Sequence, residues 1–236
     1  MPAFAEPDPL ARESLTAHLS RAQAHAVQGT LAQRVRPAGL PLKDVRAVAG
    51  AACADAGDEL FAAAVLIEFP TLGIIAQAAA QRPAPAPYIS GLRAFREGEA
   101  LLAAIEGLGS RPHAVFFNGH GVAHPRGCGL ASHLGLALGL ASIGCARRPI
   151  TGRATFSAGE PGDCAPLTDD QGKQIGAAVV MRHGSRPILI SVGHLIDLGT
   201  AIALALACAR GRVFPEPLRL AAAAARAARM EAVEQS

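Results

Sequence analysis

The stretch 112-PHAVFFNGHGVAHPR-126 decides how the chain is read. An apolar run from His113 to Phe117 stops at Asn118-Gly119-His120-Gly121, and His124-Pro125-Arg126 follow within five residues. Five apolar-rich residues closed by glycines are the length and punctuation of a buried strand. Its C-terminal end carries an amide and two histidines, and in α/β sheets ligands bind outside the carboxyl ends of strands. Asn118, His120 and His124 are therefore candidate site residues, with an uncharged side chain at the position best placed to meet a cation.

Outward from this strand, the chain alternates. Residues 92–108 and 129–138 have helical spacing, while 140–145 is a short strand, so strand and helix succeed one another as in parallel βαβ units. Upstream, 45–54 and 60–69 read as strands joined by a turn at 55–58, with 71–81 as a third, an antiparallel meander. Leu10, Leu15, Leu19, Leu31 and Val35 recur at helical spacing with no internal proline, which predicts one helix over 9–35. The prolines of 82-RPAPAPYISG-91 predict a rigid exposed loop. Downstream, 151–172 is a Gly/Pro/Asp-rich loop, 174–182 and 186–193 are strands, and 196–209 and 217–231 are helices. The fold class is α/β, a mixed sheet flanked by helices. Nothing in the 236 residues asks for a second domain; residues 1–8 are expected to be flexible and 230–236 frayed.

Half the residues are apolar and 17% charged, so a packed core is easily supplied. The net charge of +3 permits nucleic-acid binding without demanding it. Cations are overwhelmingly Arg, which suits phosphate recognition, although Ala- and Arg-rich composition also follows from high-GC codons. Five scattered cysteines without a CxxC indicate neither a zinc site nor a disulfide framework. The N-terminus has no basic region leading into an apolar stretch, and 201-AIALALACA-209 is too short to span a bilayer. A cytoplasmic monomer away from membranes is expected.

Six ordered blocks, 45-VRAVAG-50, 87-PYISGLRAFREG-98, 118-NGHGVAHPRGCGLASHLG-135, 143-IGCARR-148, 191-SVGHLIDL-198 and 210-RGRVFPEPLR-219, resemble the endonuclease V family of deoxyinosine-directed nucleases. The resemblance implies an RNase H-like fold and a divalent metal, usually magnesium, held by a first-strand Asp, the Glu of FREG and the Asp of DGHG. Hard cations take oxygen ligands and activate water or stabilise a leaving oxygen. Here the Glu is Glu97, the first-strand Asp aligns with Ala52, and the DGHG Asp aligns with Asn118. Arg147 stands where the family carries a Lys, and His194 keeps the late histidine. The resemblance thus names Glu97, His194 and Arg147 as catalytic candidates, with Glu97 and Asn118 left to a weakened metal site.

The same resemblance assigns the recognition elements. Pro87, Tyr88, Ile89 and Ser90 stand for a strand-separating wedge that has lost its last proline, and Tyr88 is the only tyrosine. Gly91, Gly119, His120, Gly121, His124 and Gly129 stand for the pocket that receives a flipped hypoxanthine, where small residues let backbone amides reach the base edge. Read without the resemblance, Glu97 is an exposed helix carboxylate, His120 and His124 are surface or capping histidines, and His133 is structural. No neighbour restores the lost charge: Asp55 falls on the other sheet face from Ala52, and Cys53 points opposite to Ala52 and so is expected to face away from the metal position. The expected function is recognition of inosine-containing DNA or RNA with hydrolysis weakened or lost. Two other readings stay open: an active nuclease whose metal shell is completed by Asn118 and water, and a scaffold turned to a purine-type small molecule.

Overall fold

The computed structural model describes residues 4–156 and 159–234. Eight strands form one sheet: β1 (Ala47–Ala56), β2 (Glu59–Glu68), β3 (Ile74–Pro83), β4 (Ala114–Asn118), β5 (Ala141–Ala146), β6 (Cys164–Thr168), β7 (Gln174–Val179) and β8 (Ile188–His194), in the order β3-β2-β1-β4-β5-β8-β7-β6. The three central strands β1, β4 and β5 run parallel, so their C-terminal ends lie along one edge. The outer pairings are antiparallel.

Side chains alternate across this sheet with period two, and each face is covered by helices. Ala49, Ala51, Val115 and Phe117 pack with α3 (Arg93–Glu106) and α4 (Leu130–Leu138) through Leu101 and Leu134. Val48, Ala52, Phe116 and Ile143 pack on the other face with α5 (Leu198–Ala207) and α6 (Glu216–Glu234) through Leu204, Leu218 and Ala221. Gly50 brings α6 in: a Cβ there would collide with the backbone of Pro217 and Leu218. This close approach sets the first turns of α6 over the central strands.

The mixed α/β architecture and the meander match expectation; several boundaries do not. The predicted helix over 9–35 is two, α1 (Pro9–Glu13) and α2 (Arg21–Ala32). Ser20 restarts the chain with a capping box: its Oγ accepts from Gln23 N at 3.3 Å, and Gln23 Oε1 accepts from Ser20 N at 2.9 Å. The third strand begins at Ile74, after a turn in which Leu72 N donates to Glu68 O at 2.8 Å, and it absorbs Arg82 and Pro83 from the expected loop. The predicted loop over 151–172 contains β6, an edge strand that tolerates Pro166 because an edge residue needs no second ladder partner.

The N-terminal lead, expected to be flexible, is tied down over its described part: Ala5 N donates to Gly139 O at 3.1 Å, and Asp8 N to Leu136 O at 2.9 Å. The expectations for residues 1–3, 157–158 and 235–236 lie outside the described residues. The cysteines are unpaired. Among the described residues, no helix is long and apolar enough to cross a membrane.

Candidate functional site

β4 ends at Asn118, paired with Cys145 of β5, while Ala51 of β1 pairs with Phe117; the next residues on these two parallel strands are Ala52 and Asn118. The chain then crosses over β5 and β8 at backbone contact. A Cβ on Gly121 would collide with the Val192 carbonyl, and one on Gly144 with Gly121 N, so the crossing needs glycine on both sides. His120 O accepts from Ala131 N at 2.9 Å and Gly121 O from Gly129 N at 3.0 Å, which clamps the turn to the start of α4.

Glu97 reaches this edge from α3 but is already engaged. Arg93, one helical turn earlier, donates from Nε to Glu97 Oε1 at 2.8 Å and from Nη2 to Oε2 at 2.7 Å, a bidentate pair. Its Nη1 donates to the Asn118 carbonyl at 2.8 Å, so one guanidinium bridges the helix and the strand end. Burial works against the Arg93 charge, but the hydrogen bonds and charge of Glu97 outweigh it and raise its pKa. Among the described residues, no group of three His, Cys, Asp or Glu comes together as a metal cluster.

Cys53 does lie opposite Ala52, but that face is where α3 packs. It therefore looks toward Glu97 and Arg93, contrary to the expectation from strand alternation alone. Burial, then the Glu97 charge, pushes its thiol up to about 12, so it is an inert neighbour.

Two adjoining cavities open at the edge and share Arg93, Gly119, His120 and Arg148. The larger, about 480 Å³, lies between the strand ends and α6 and is lined by Asn118, Arg147, Phe214, Arg219 and Arg226 besides the shared residues. Arg147 sits 4.9 Å over the Phe214 ring, and Arg219 is held by Glu216 at 2.8 and 2.6 Å. The smaller, about 230 Å³, is lined by Gln28, Tyr88, Ser90, Gly91, His124 and Gly129, with Pro149 and Ile150 closing one side. Tyr88 stands at its mouth, 60% exposed, and the next residue, Ile89, is exposed without lining the cavity.

The smaller cavity is braced by a network around the Gly91 carbonyl. Gln28 Nε2 donates to it at 2.8 Å and Arg126 Nη2 at 3.2 Å, while Gln28 Oε1 accepts from Arg126 Nε at 2.6 Å. His124 Nδ1 accepts from Arg126 N at 3.3 Å, which assigns the proton to Nε2 and makes Nε2 the donor to Gly91 O at 3.0 Å. That neutral tautomer persists because burial, then the Arg126 charge, lowers the His124 pKa to about 4. Burial, then Arg93, lowers His120 as well. Gly91 itself has φ +83, a left-handed conformation that glycine adopts freely.

Not every predicted residue arrives here. His194 closes β8 opposite Ser142, at the far end of β5 from Cys145, and its Nδ1 accepts from Arg36 N at 3.2 Å; it lines neither cavity. Gly121 also lines neither and serves the crossing. His133 is buried, with Nε2 2.9 Å from Ala11 O and its ring edge-on to Phe95, as a structural histidine would be. Arg93, Gln28, Arg148, Arg219 and Arg226 also line these cavities, although the sequence reading does not single them out. The i,i+4 spacing of Arg93 and Glu97 was the available signal, as was the 3.6-residue stripe Arg219, Ala222, Arg226.

The endonuclease V family model matches residues 29–223. This chain belongs to the endonuclease V family. The endonuclease V of Methanothrix thermoacetophila is 44% identical over 177 residues, 75% of this chain and 78% of that protein. The Streptomyces avermitilis endonuclease V structure superposes with a TM-score of 0.85 at 38% identity, covering 91% of this chain and 95% of that one. At 21% identity, the Ciona intestinalis endonuclease V, solved with a 24mer DNA containing an inosine followed by a ribo-adenosine, shares the fold with a TM-score of 0.79 over 89% of this chain and 98% of that one. The mixed sheet is thus the RNase H-like α/β fold of the endonuclease V structures. Within this family member, Ala52 and Asn118 stand side by side where the parallel pairing of β1 and β4 ends.

Proposed function

We propose that this endonuclease V relative binds inosine-containing nucleic acid and has lost most or all metal-dependent hydrolysis. The observation that carries this is the Glu97 carboxylate, whose two oxygens are both committed to Arg93. Magnesium demands a near-octahedral oxygen shell and dehydrates reluctantly. At this edge it would find a methyl group at Ala52, a neutral amide at Asn118 and a carboxylate already neutralised by a guanidinium. The residues do not fit the ion that the family resemblance implies, so no hydrolytic step is routed through it.

The recognition half is better preserved. Tyr88 offers a stacking surface at the mouth of the smaller cavity, and Pro87, Ile89 and Ser90 complete the wedge beside it. Below it, Gly91, Gly119 and Gly129 leave room for a base to approach backbone, with His120 and His124 alongside. At about 230 Å³ the cavity is smaller than drug-sized pockets, which start at about 300 Å³, and so suits a single base. Hypoxanthine presents a carbonyl and a ring N–H where adenine presents an amine and a ring acceptor, so a polar pocket can separate them. The Ciona relative, solved with inosine-containing DNA, supports the same class of partner.

The test is fluorescence anisotropy with matched single strands carrying inosine or adenosine. Inosine is expected to bind more tightly, and Tyr88→Ala to weaken binding by the stacking contribution of about 1–3 kcal/mol, roughly 5- to 150-fold. Equal affinity for both strands, unchanged by Tyr88→Ala, would sink the base-recognition half.

A further inference from the structure

The larger cavity is basic beyond anything the base pocket requires. Five arginines line it, Arg93, Arg147, Arg148, Arg219 and Arg226, and no carboxylate does. Glu97 compensates Arg93 and Glu216 compensates Arg219, while Arg147, Arg148 and Arg226 have no carboxylate partner among the described residues. Arg219 and Arg226 project from one face of α6, and Arg147 is set in place by Phe214. Against a net charge of only +3 for the whole chain, this is a local concentration of positive field.

Arg93 occupies a particular place in that field. Its guanidinium takes both Glu97 carboxylate oxygens and the Asn118 main-chain carbonyl, which leaves a cation at this edge only the neutral side-chain amide of Asn118. Three of its five N–H donors are used there, which leaves two for a ligand in the cavities it lines. It is charged at any pH the fold survives, it cannot dissociate, and it repels a second cation from the same position.

We infer that Arg93 is a built-in replacement for a divalent ion, and that with Arg147, Arg148 and Arg226 it forms a metal-free site for a phosphate group. This rests on the reading of the chain as a nucleic-acid binder, which makes the phosphate a backbone phosphodiester next to the base held in the smaller cavity. A guanidinium offers planar, paired donors that match two phosphate oxygens, and an arginine cluster binds an anion without the dehydration that magnesium requires. Fixed arginines bind a phosphodiester but generate no metal hydroxide, so binding without cutting follows from the same exchange.

The experiment compares the full chain with an inosine strand, inosine 5′-monophosphate and inorganic phosphate, each in EDTA and in millimolar magnesium. Strand affinity is expected to agree within about twofold between EDTA and magnesium, since the cation is already present. Arg226→Ala is expected to weaken inosine and adenosine strands alike and to lower the log–log salt slope by about one. Magnesium calorimetry on the wild-type chain is expected to show no saturable heat. In the triple variant Arg93→Leu, Ala52→Asp, Asn118→Asp, magnesium is expected to raise Tm, whereas Ala52→Asp, Asn118→Asp with Arg93 retained is expected to show a smaller rise.

Loss of strand binding in EDTA, or saturable magnesium binding by the wild type, would overturn the inference, and neither readout depends on a variant folding. Discrimination of inosine from adenosine is scored separately. Magnesium-independent binding without that discrimination keeps the anion site and overturns base recognition. Binding of the monophosphate as tight as the strand keeps the anion site and assigns it to a free nucleotide.

Discussion

Between pH 6.5 and 4 the protein is expected to lose stability steeply, far more than its surface charge would suggest. His124, His133 and His194 are each almost fully buried, and burial lowers each pKa to about 4. For His124 the Arg126 charge lowers it further, and for His194 the Arg36 charge does. For His133 the Ala11 carbonyl pulls the other way without prevailing. In the unfolded chain these groups protonate near pH 6.5. Between the two values the unfolded state therefore holds up to about three more protons than the folded one.

Stability rises with pH wherever the unfolded state binds more protons, so this contribution is complete above pH 6.5 and disappears as pH falls through 4. Three protons give a slope of up to about 4 kcal/mol per pH unit, and a loss of about 6 kcal/mol by pH 5. That is comparable with the whole stability of an ordinary domain, about 5–15 kcal/mol. Urea titrations across this range check it. His133→Gln, which keeps a donor for Ala11 O but no longer titrates, is expected to reduce the slope by about one third. A midpoint that stays flat from pH 7 to 5 would show that these histidines accept protons in place.

Arg93→Leu is expected to be the most destabilising single change at the candidate site. It strips both hydrogen bonds from a Glu97 side chain that is 11% exposed and leaves its charge unpaired. Breaking one partner of a buried pair costs about 3–5 kcal/mol, and the lower end applies because the Arg93 side chain retains 28% exposure. Glu97→Gln removes the stranded charge, so Arg93→Leu in that background is expected to cost less, with a coupling of about 2–3 kcal/mol. Chemical denaturation of the two single variants and the double variant measures this. Additive effects would mean that the pair contributes nothing to the fold, and that Glu97 is free to act elsewhere.

What could be read in advance followed the strength of the periodic signal. The strand 113–117 and the turn after it were plain because a buried parallel strand is a short apolar run with glycine where backbones cross. The single long helix over 9–35 failed because apolar spacing ran through Ser20 and Gln23, whose capping box starts a new helix from local hydrogen bonds that periodicity does not register. β6 was hidden by Pro166, which argues against a central strand but not against an edge.

At the site, the blocks around Glu97, Asn118 and Tyr88 were legible, yet their meaning depended on contacts between distant elements. Cys53 was placed on the correct face by alternation, but only the packing of α3 showed that Glu97 shares that face. Gln28 joins Gly91 and Cys128 across 63 and 100 residues, so nothing local marks it. Arg93 is the residue that matters most here. One helical turn before Glu97 it looks like a routine surface pair, and its third hydrogen bond, to the Asn118 carbonyl, makes it the centre of the edge.

The most direct measurement is a single-turnover cleavage assay with the wild-type chain in excess over an inosine-containing strand, in magnesium and in manganese, with bound fraction and product scored on the same samples. The strand is expected to be bound and uncut in both metals. Metal-dependent product that disappears in Glu97→Ala would contradict this, because Glu97 would then have to leave Arg93 to hold the ion.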